Sequence, residues 1–165
     1  MVCGVKNNAY HTMKHLRFML ANGQTYDTSH SDDYSRFMQN ESFLANGILS
    51  CKKEIESQPI LTEKIRHKYR IKNTLGYSLN AFIDHKHPLD IFAHLIVGAE
   101  GTLAFFSEVV LDTIDDPPLK TMGLVLFDSV ASSMAALPVL VNEGADAVEM
   151  LDDASLRTAQ YLNNP

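Results

Sequence analysis

The chain has 165 residues, 45% apolar and 21% charged, enough to bury the core of one domain and begin a second. Its 14 basic and 20 acidic residues give a formal charge of −6, which argues against nucleic acid as a partner, because phosphate-tracking surfaces gather Lys and Arg on one face. No apolar run approaches the roughly 18 residues needed to cross a bilayer, and the amino end lacks a secretory signal's basic segment and apolar core; a cytoplasmic place, free or at the inner face of the membrane, is expected.

The residues from Gly4 to Thr12 read as a loop. Residues 14–20 and 24–28 bracket Ala21-Asn22-Gly23, and Asn-Gly between two strand-like runs is a strong hairpin signal. Ser31 or Asp32 is then placed to cap a helix carrying Tyr34, Phe37 and Met38. Asn40 is placed to cap the next, with Phe43, Leu44, Ile48 and Ile55 as its apolar stripe. Pro59 opens a third, with Leu61, Ile65 and Tyr69 four residues apart. Its Lys64, Arg66, His67, Lys68 and Arg70 read as a solvated face. Residues 31–70 thus form a helical insertion.

Pro88 starts a short helix that is apolar almost all round and belongs inside, ending at Gly98. Leu103, Phe105, Val109 and Leu111 share one parity and Phe106 and Val110 the other, which predicts a central strand covered on both faces. Asp115-Asp116-Pro117-Pro118 marks a domain junction. Beyond it, residues 121–127 read as a strand, 130–143 as a helix interrupted or bent at Pro138, 147–151 as a strand and 154–162 as a helix. The predicted class is α+β: an antiparallel sheet with helices packed on it, then the start of an α/β domain. So few residues close a core poorly, so the chain is expected to stop inside its second domain, and a sheet face left open there would favour self-association.

Two cysteines, Cys3 and Cys51, cannot make a four-thiolate metal site and read as reduced thiols. Asp84-His85-Lys86-His87 is the densest histidine cluster, but it lacks further ligands and places Lys86 between the two rings, so no metal site is expected. Gly-x-Ser-x-Gly, the phosphate-binding loop and Gly-x-Gly-x-x-Gly are all absent, which removes the main support for hydrolase, nucleotidase and nicotinamide-enzyme readings.

The most telling stretch is Gly98-Ala99-Glu100-Gly101-Thr102-Leu103, where two glycines close a turn between a helix end and a strand. Such a turn can bring bare backbone against a flat ligand, although on spacing alone Gly-x-x-Gly between two elements is more often plain turn chemistry. Upstream lies Asn73-Thr74-Leu75-Gly76-Tyr77, and downstream a strand carrying Ser107-Glu108. In this order the three segments resemble the second half of the flavin-binding domain of FAD-linked oxidases. That family includes D-lactate, glycolate and D-2-hydroxyglutarate dehydrogenases and is related to vanillyl-alcohol oxidase. The N-terminal Gly4-Val5-Lys6-Asn7-Asn8-Ala9-Tyr10-His11-Thr12 is similar to the family's flavin loop; where a Tyr-Gly pair usually follows, His15 and Leu16 stand here. The nearest branch is the one joined to an iron–sulfur region.

The resemblance implies that residues 1–116 are the second half of an FAD-binding domain and that residues 117–165 begin a substrate cap, of which residues 147–152 are an early strand. It implies a fragment of a dehydrogenase in which hydride passes from a 2-hydroxy acid to FAD and on to an electron acceptor. The flavin contacts it implies are Gly4, Tyr10, Thr12, Asn73, Tyr77, Gly98, Ala99, Glu100, Gly101 and Thr102. Catalytic and substrate groups would lie outside this chain, leaving the isolated piece inactive and its FAD binding weak or absent. The alternative is a non-catalytic α+β interaction module on the same scaffold.

Overall fold

The computed structural model describes residues 2–3, 5, 7–73, 76–113 and 115–163. They fall into two compact units, one of Val5–Ile114 and one of Met1–Gly4 with Asp115–Pro165.

The first unit is built on a three-stranded antiparallel sheet of β2 (Met13–Met19), β3 (Thr25–Asp27) and β4 (Phe105–Leu111), in the order β3-β2-β4. The Asn-Gly hairpin forms as expected: Arg17 pairs with Asp27, Phe18 with Tyr26 and Met19 with Thr25, and Gly23 takes φ +82. Irregularities in the β2–β4 register at Met13/His15 and Arg17/Phe18 let β2 depart from simple alternation, so that Met13, Leu16 and Phe18 all point inward.

Over this sheet lie α2 (Ser31–Asn40), α3 (Ser42–Glu56), α4 (Pro59–Lys68), α5 (Ala81–Asp84) and α6 (Pro88–Ile96), after an opening turn of helix, α1 (Ala9–Thr12). The class is therefore α+β. Phe18, Tyr26 and Phe37 of the core sit edge to face or tilted, with ring centroids 6.0 Å (Phe18 to Tyr26) and 5.1 Å (Tyr26 to Phe37) apart. Phe92 joins them from α6, 5.4 Å from Phe18. As its all-round apolar sequence requires, α6 buries Leu89, Ile91, Phe92, Ala93, Leu95 and Ile96.

Three expectations need correction here. The caps of α2 and α3 are His30 and Glu41, neither of which makes a side-chain cap bond. Ser31 and Asn40 lie inside α2 because the buried Asp33 ties its first turn back to the sheet, accepting the Asp27 N–H at 2.7 Å. Phe43 leaves the α3 stripe and is 95% exposed. Ala45, Ile48 and Ile55 recur at helical spacing, and Phe43 is two residues, or about 200°, away from Ala45 on that wheel. Finally, β4 is an edge strand whose seven residues are all exposed, since the described sheet places β2 on one side of it only.

The second unit pairs β1 (Val2–Cys3) with β5 (Ala147–Val148) antiparallel and adds α7 (Val130–Asn142) and α8 (Asp153–Asn163). Ser129 caps α7 by accepting the Ser132 N–H at 3.1 Å, and the helix runs on through Pro138. The strand expected at residues 121–127 does not form. Leu119, Met122, Leu124 and Leu126 are all more than 80% exposed, and an extended segment without a partner ladder leaves its backbone groups to water. No described helix is long and apolar enough to cross a membrane.

Candidate functional site

After α6 ends at Ile96, three of the next residues turn left-handed: Gly98 at φ +83, Glu100 at +51 and Gly101 at +76. Ala99 between them is buried, 4% exposed. Its N–H donates to the Ile96 carbonyl at 3.0 Å, and its own carbonyl accepts the Thr102 N–H at 3.0 Å and the Thr102 hydroxyl at 2.6 Å. A Cβ built on Gly98 or Gly101 would meet nothing within 4 Å. Glycine is thus required by backbone conformation, and the space over both residues is open. Among the described residues, the Glu100 and Gly101 N–H groups donate to no protein acceptor, which leaves two backbone donors free beside that space.

Tyr77 reaches the turn from 25 residues upstream, its hydroxyl 2.9 Å from Thr102 Oγ1. The one hydroxyl proton of Thr102 goes to Ala99, so Tyr77 is the donor and keeps its lone pairs as acceptors. Tyr77 is 43% exposed. Ser78 Oγ lies 3.4 Å from the Val97 carbonyl, and Asn73 is half-buried nearby in sequence. Tyr77 and the glycine turn therefore form one surface carrying backbone donors, a tyrosine acceptor and an exposed aromatic face.

Of the amino-terminal loop, Tyr10 and Thr12 make their hydrogen bonds away from the turn. Gly4 lies outside the described residues, as do Thr74 and Leu75. Asn8 caps α1 through the His11 N–H at 3.0 Å, and Thr12 donates its hydroxyl to the Asn8 carbonyl at 2.9 Å. Tyr10 is 7% exposed and donates to Asp84 Oδ2 at 2.8 Å. Burial, reinforced by the Asp84 carboxylate, holds its phenol far above the ordinary range.

Tyr10 belongs instead to an aromatic and histidine cluster. Its ring lies 5.0 Å from that of His94, and His94 stacks on His85 at 3.7 Å. The His94 Nδ1–H donates to the Asp90 carbonyl at 2.8 Å, and Tyr34 donates to Asp90 Oδ1 at 2.7 Å. His87 Nδ1 accepts the Leu89 N–H at 3.1 Å, capping α6. Burial pushes His85, His87 and His94 below the usual imidazole range, against the pull of Asp84 and Asp90. Among the described residues, no three His, Cys, Asp or Glu side chains gather in a metal-holding group.

Sequence reasoning missed the part played by Tyr69, which looked like one more apolar position on α4. Its hydroxyl donates to the Tyr77 carbonyl at 2.9 Å and accepts the Leu79 N–H at 3.0 Å. The eight-residue gap to Tyr77 carries no periodic signal that could have revealed this. Open surface depressions occur away from the turn: one lined by Gln58, Pro59, Ile60, Leu61 and Lys64, and one where Arg17 and Arg36 already face Asp27 and Asp33.

Among curated proteins, an 86-residue stretch of this chain is 35% identical to D-2-hydroxyglutarate dehydrogenase of Pantoea ananatis (strain AJ13355). Against the Escherichia coli (strain K12) D-2-hydroxyglutarate dehydrogenase the identity is 34%, also over 86 residues. Each match takes in 52% of this chain and 8% of the relative's length. No family model matches the chain, and no solved structure matches it.

Proposed function

We propose that Asn73, Tyr77 and residues 98–102 form one wall of a flavin pocket in an FAD-dependent dehydrogenase acting on a 2-hydroxy acid of the D-2-hydroxyglutarate, D-lactate or glycolate class. In this reading residues 1–116 are the second half of the flavin domain and residues 117–165 begin the substrate cap. The reading is carried by one observation: the Tyr77 hydroxyl meets Thr102 at the turn where Gly98, Glu100 and Gly101 are left-handed. Similarity over 86 residues to two dehydrogenases named for D-2-hydroxyglutarate supports it.

The donor set suits such a cofactor. Among the described residues the Glu100 and Gly101 N–H groups have no acceptor, the space over Gly98 and Gly101 is open, and Tyr77 offers an acceptor. Donors fixed by a rigid turn stabilise negative charge on a bound ring without reorganising. The Tyr77 lone pairs would receive an N–H from the ring edge, and its exposed aromatic face would pack on the ring system. When bound, FAD would supply the redox chemistry, accepting hydride from the α-carbon of the hydroxy acid. Orientation of the ring falls to Tyr77, Gly98, Glu100, Gly101 and Thr102, while Ala99, buried beneath, holds the turn in shape. Substrate, electron acceptor and proton-accepting base would bind residues outside this wall.

The test replaces the matching 86 residues of the Escherichia coli dehydrogenase with those of this chain, and measures bound flavin by absorbance and D-2-hydroxyglutarate oxidation. A chimera that folds, keeps its flavin and turns over is the expected result. A folded chimera without flavin sinks the proposal and leaves a non-catalytic module on the same scaffold. Titration of FAD into the purified chain, followed by flavin fluorescence, should show weak quenching at most.

A further inference from the structure

The helical insertion reaches the candidate site through one hydroxyl. Tyr69, the C-cap residue of α4, donates to the Tyr77 carbonyl at 2.9 Å and accepts the Leu79 N–H at 3.0 Å. That same N–H also points at the Tyr77 carbonyl, 2.9 Å away, so residues 77–79 form a three-residue turn whose open side the tyrosine closes. Phenol, carbonyl and amide complete a small ring of hydrogen bonds. From there the chain of bonds runs on: Tyr77 to Thr102 at 2.9 Å, and Thr102 to the Ala99 carbonyl at 2.6 Å. Thr102 spends its one hydroxyl proton on the Ala99 carbonyl, which makes the Tyr77 hydroxyl the donor to Thr102, while Tyr69 acts on Tyr77 through its main-chain carbonyl.

These bonds lie at an exposed surface. Without Tyr69, water would solvate the Tyr77 carbonyl and the Leu79 N–H at little cost, and a three-residue turn is weak by itself. The segment would stay attached at Asn80, which is buried, but Tyr77 would no longer have a fixed backbone from which to meet Thr102. Tyr69 is itself held by the end of α4, whose last turn it closes by donating its N–H to the Ile65 carbonyl at 3.1 Å. Ile65 is buried, 5% exposed, so the anchor extends into the packed part of the insertion.

We propose that Tyr69 is a positioning residue, by which α4 sets Tyr77 against Thr102 and so fixes the left-handed turn of residues 98–102 that would face the flavin. The proposal deepens the flavin-wall reading and rests on it only for the identity of the ligand; the mechanical link stands on the protein's own bonds. Through this link the insertion is part of the site although it lies outside every flavin motif, and a change at the end of α4 would be felt at the glycine turn.

The experiment compares the full chain with its Tyr69→Phe, Tyr77→Phe and Tyr34→Phe variants by amide hydrogen exchange and thermal melting. Tyr69→Phe keeps the ring and loses both hydrogen bonds. The expected result is exchange roughly tenfold faster at Leu79 and Thr102, with the amides of α3 and β2 unchanged. Tyr77→Phe should speed Thr102 alone, while Tyr34→Phe, which removes a hydroxyl elsewhere, should leave both amides as they were. If Tyr69→Phe speeds Leu79 but leaves Thr102 at its wild-type rate, or if it speeds all amides equally, the positioning role is wrong. The ligand is tested separately: in a chimera that carries residues 59–102 of this chain and holds flavin, Tyr69→Phe should weaken FAD retention about tenfold with an unchanged melting temperature after flavin removal. A folded chimera that never holds FAD overturns the flavin reading and leaves the exchange result to judge the link; a chimera that holds FAD equally well with Phe at 69 overturns the link's functional part.

Discussion

The two units of this chain contain similar apolar segments but use them differently. In the unit of Val5–Ile114, Phe18, Tyr26, Phe37, Leu89 and Ile91 are all below 2% exposed. In the other, α7 buries no residue, and Met122 and Leu124 are 95% and 83% exposed. An apolar side chain stabilises a fold only in proportion to the surface it removes from water, about 25 cal/mol per Å². Among the described residues, the first unit has a sheet and the helices α2, α3, α4 and α6 to close over its side chains; the second has a two-residue strand pair and two helices. Its apolar residues are thus surface available to other parts of a protein.

The sharpest contrast between the units should come from truncating equally apolar residues in each. Phe37→Ala should cost about 3–5 kcal/mol, enough to unfold the first unit or nearly so. Leu124→Ala serves as the matched change in the second unit and belongs at the end of the scale. Urea unfolding followed by tyrosine fluorescence reads both. Comparable losses would mean that the second unit has a core of its own.

Acid should distinguish the units next. His85, His87 and His94 all belong to the first, and burial lowers the affinity of each for a proton in the folded state. Below about pH 6.5 the unfolded chain takes up protons that the folded chain refuses, so stability falls as pH drops from there through the lowered folded-state values, and it is fully present above. Urea midpoints between pH 7.5 and 4.5 should fall over that window, and the fall should shrink in His94→Phe. A midpoint insensitive to pH there would remove the histidine cluster from the account.

A smaller effect is expected at the glycine turn. Gly98→Ala meets no atom within 4 Å but must hold φ +83, a conformation that costs an L residue about 1–2 kcal/mol. The loss should appear in urea midpoints with an unchanged slope. Replacing Gly47, inside α3 and also with nothing within 4 Å of a built Cβ, by Ala should go the other way, gaining up to about 1 kcal/mol. Last, Leu124→Ala should change stability by no more than about 0.5 kcal/mol.

Much of the first unit was legible because its signals are local. The Asn-Gly hairpin, Pro59 and Pro88 at helix starts, and Gly98 as the stop of an all-apolar helix each depend on backbone preferences of one or two residues. Tyr77 and the glycine turn were legible only as motifs in order; nothing in either stretch shows that a hydroxyl joins them. The misread strand at residues 121–127 and the two-sided β4 share one cause. Alternating or continuous apolar residues record that a segment is suited to burial, and whether a partner covers it is decided elsewhere.

Composition, turn chemistry and periodicity by themselves determined the α+β class, the hairpin, the three helices within residues 31–68 and the buried character of α6, since each follows from local conformational preference and one-face burial. The tertiary structure alone decided that Tyr10 turns inward to Asp84, that β4 is an edge, and that Tyr69 holds the Tyr77 backbone while the Tyr77 hydroxyl meets Thr102. Those are pairings between residues up to 74 positions apart, and a pairing at that range depends on where packing brings the chain back to itself, which no local preference encodes.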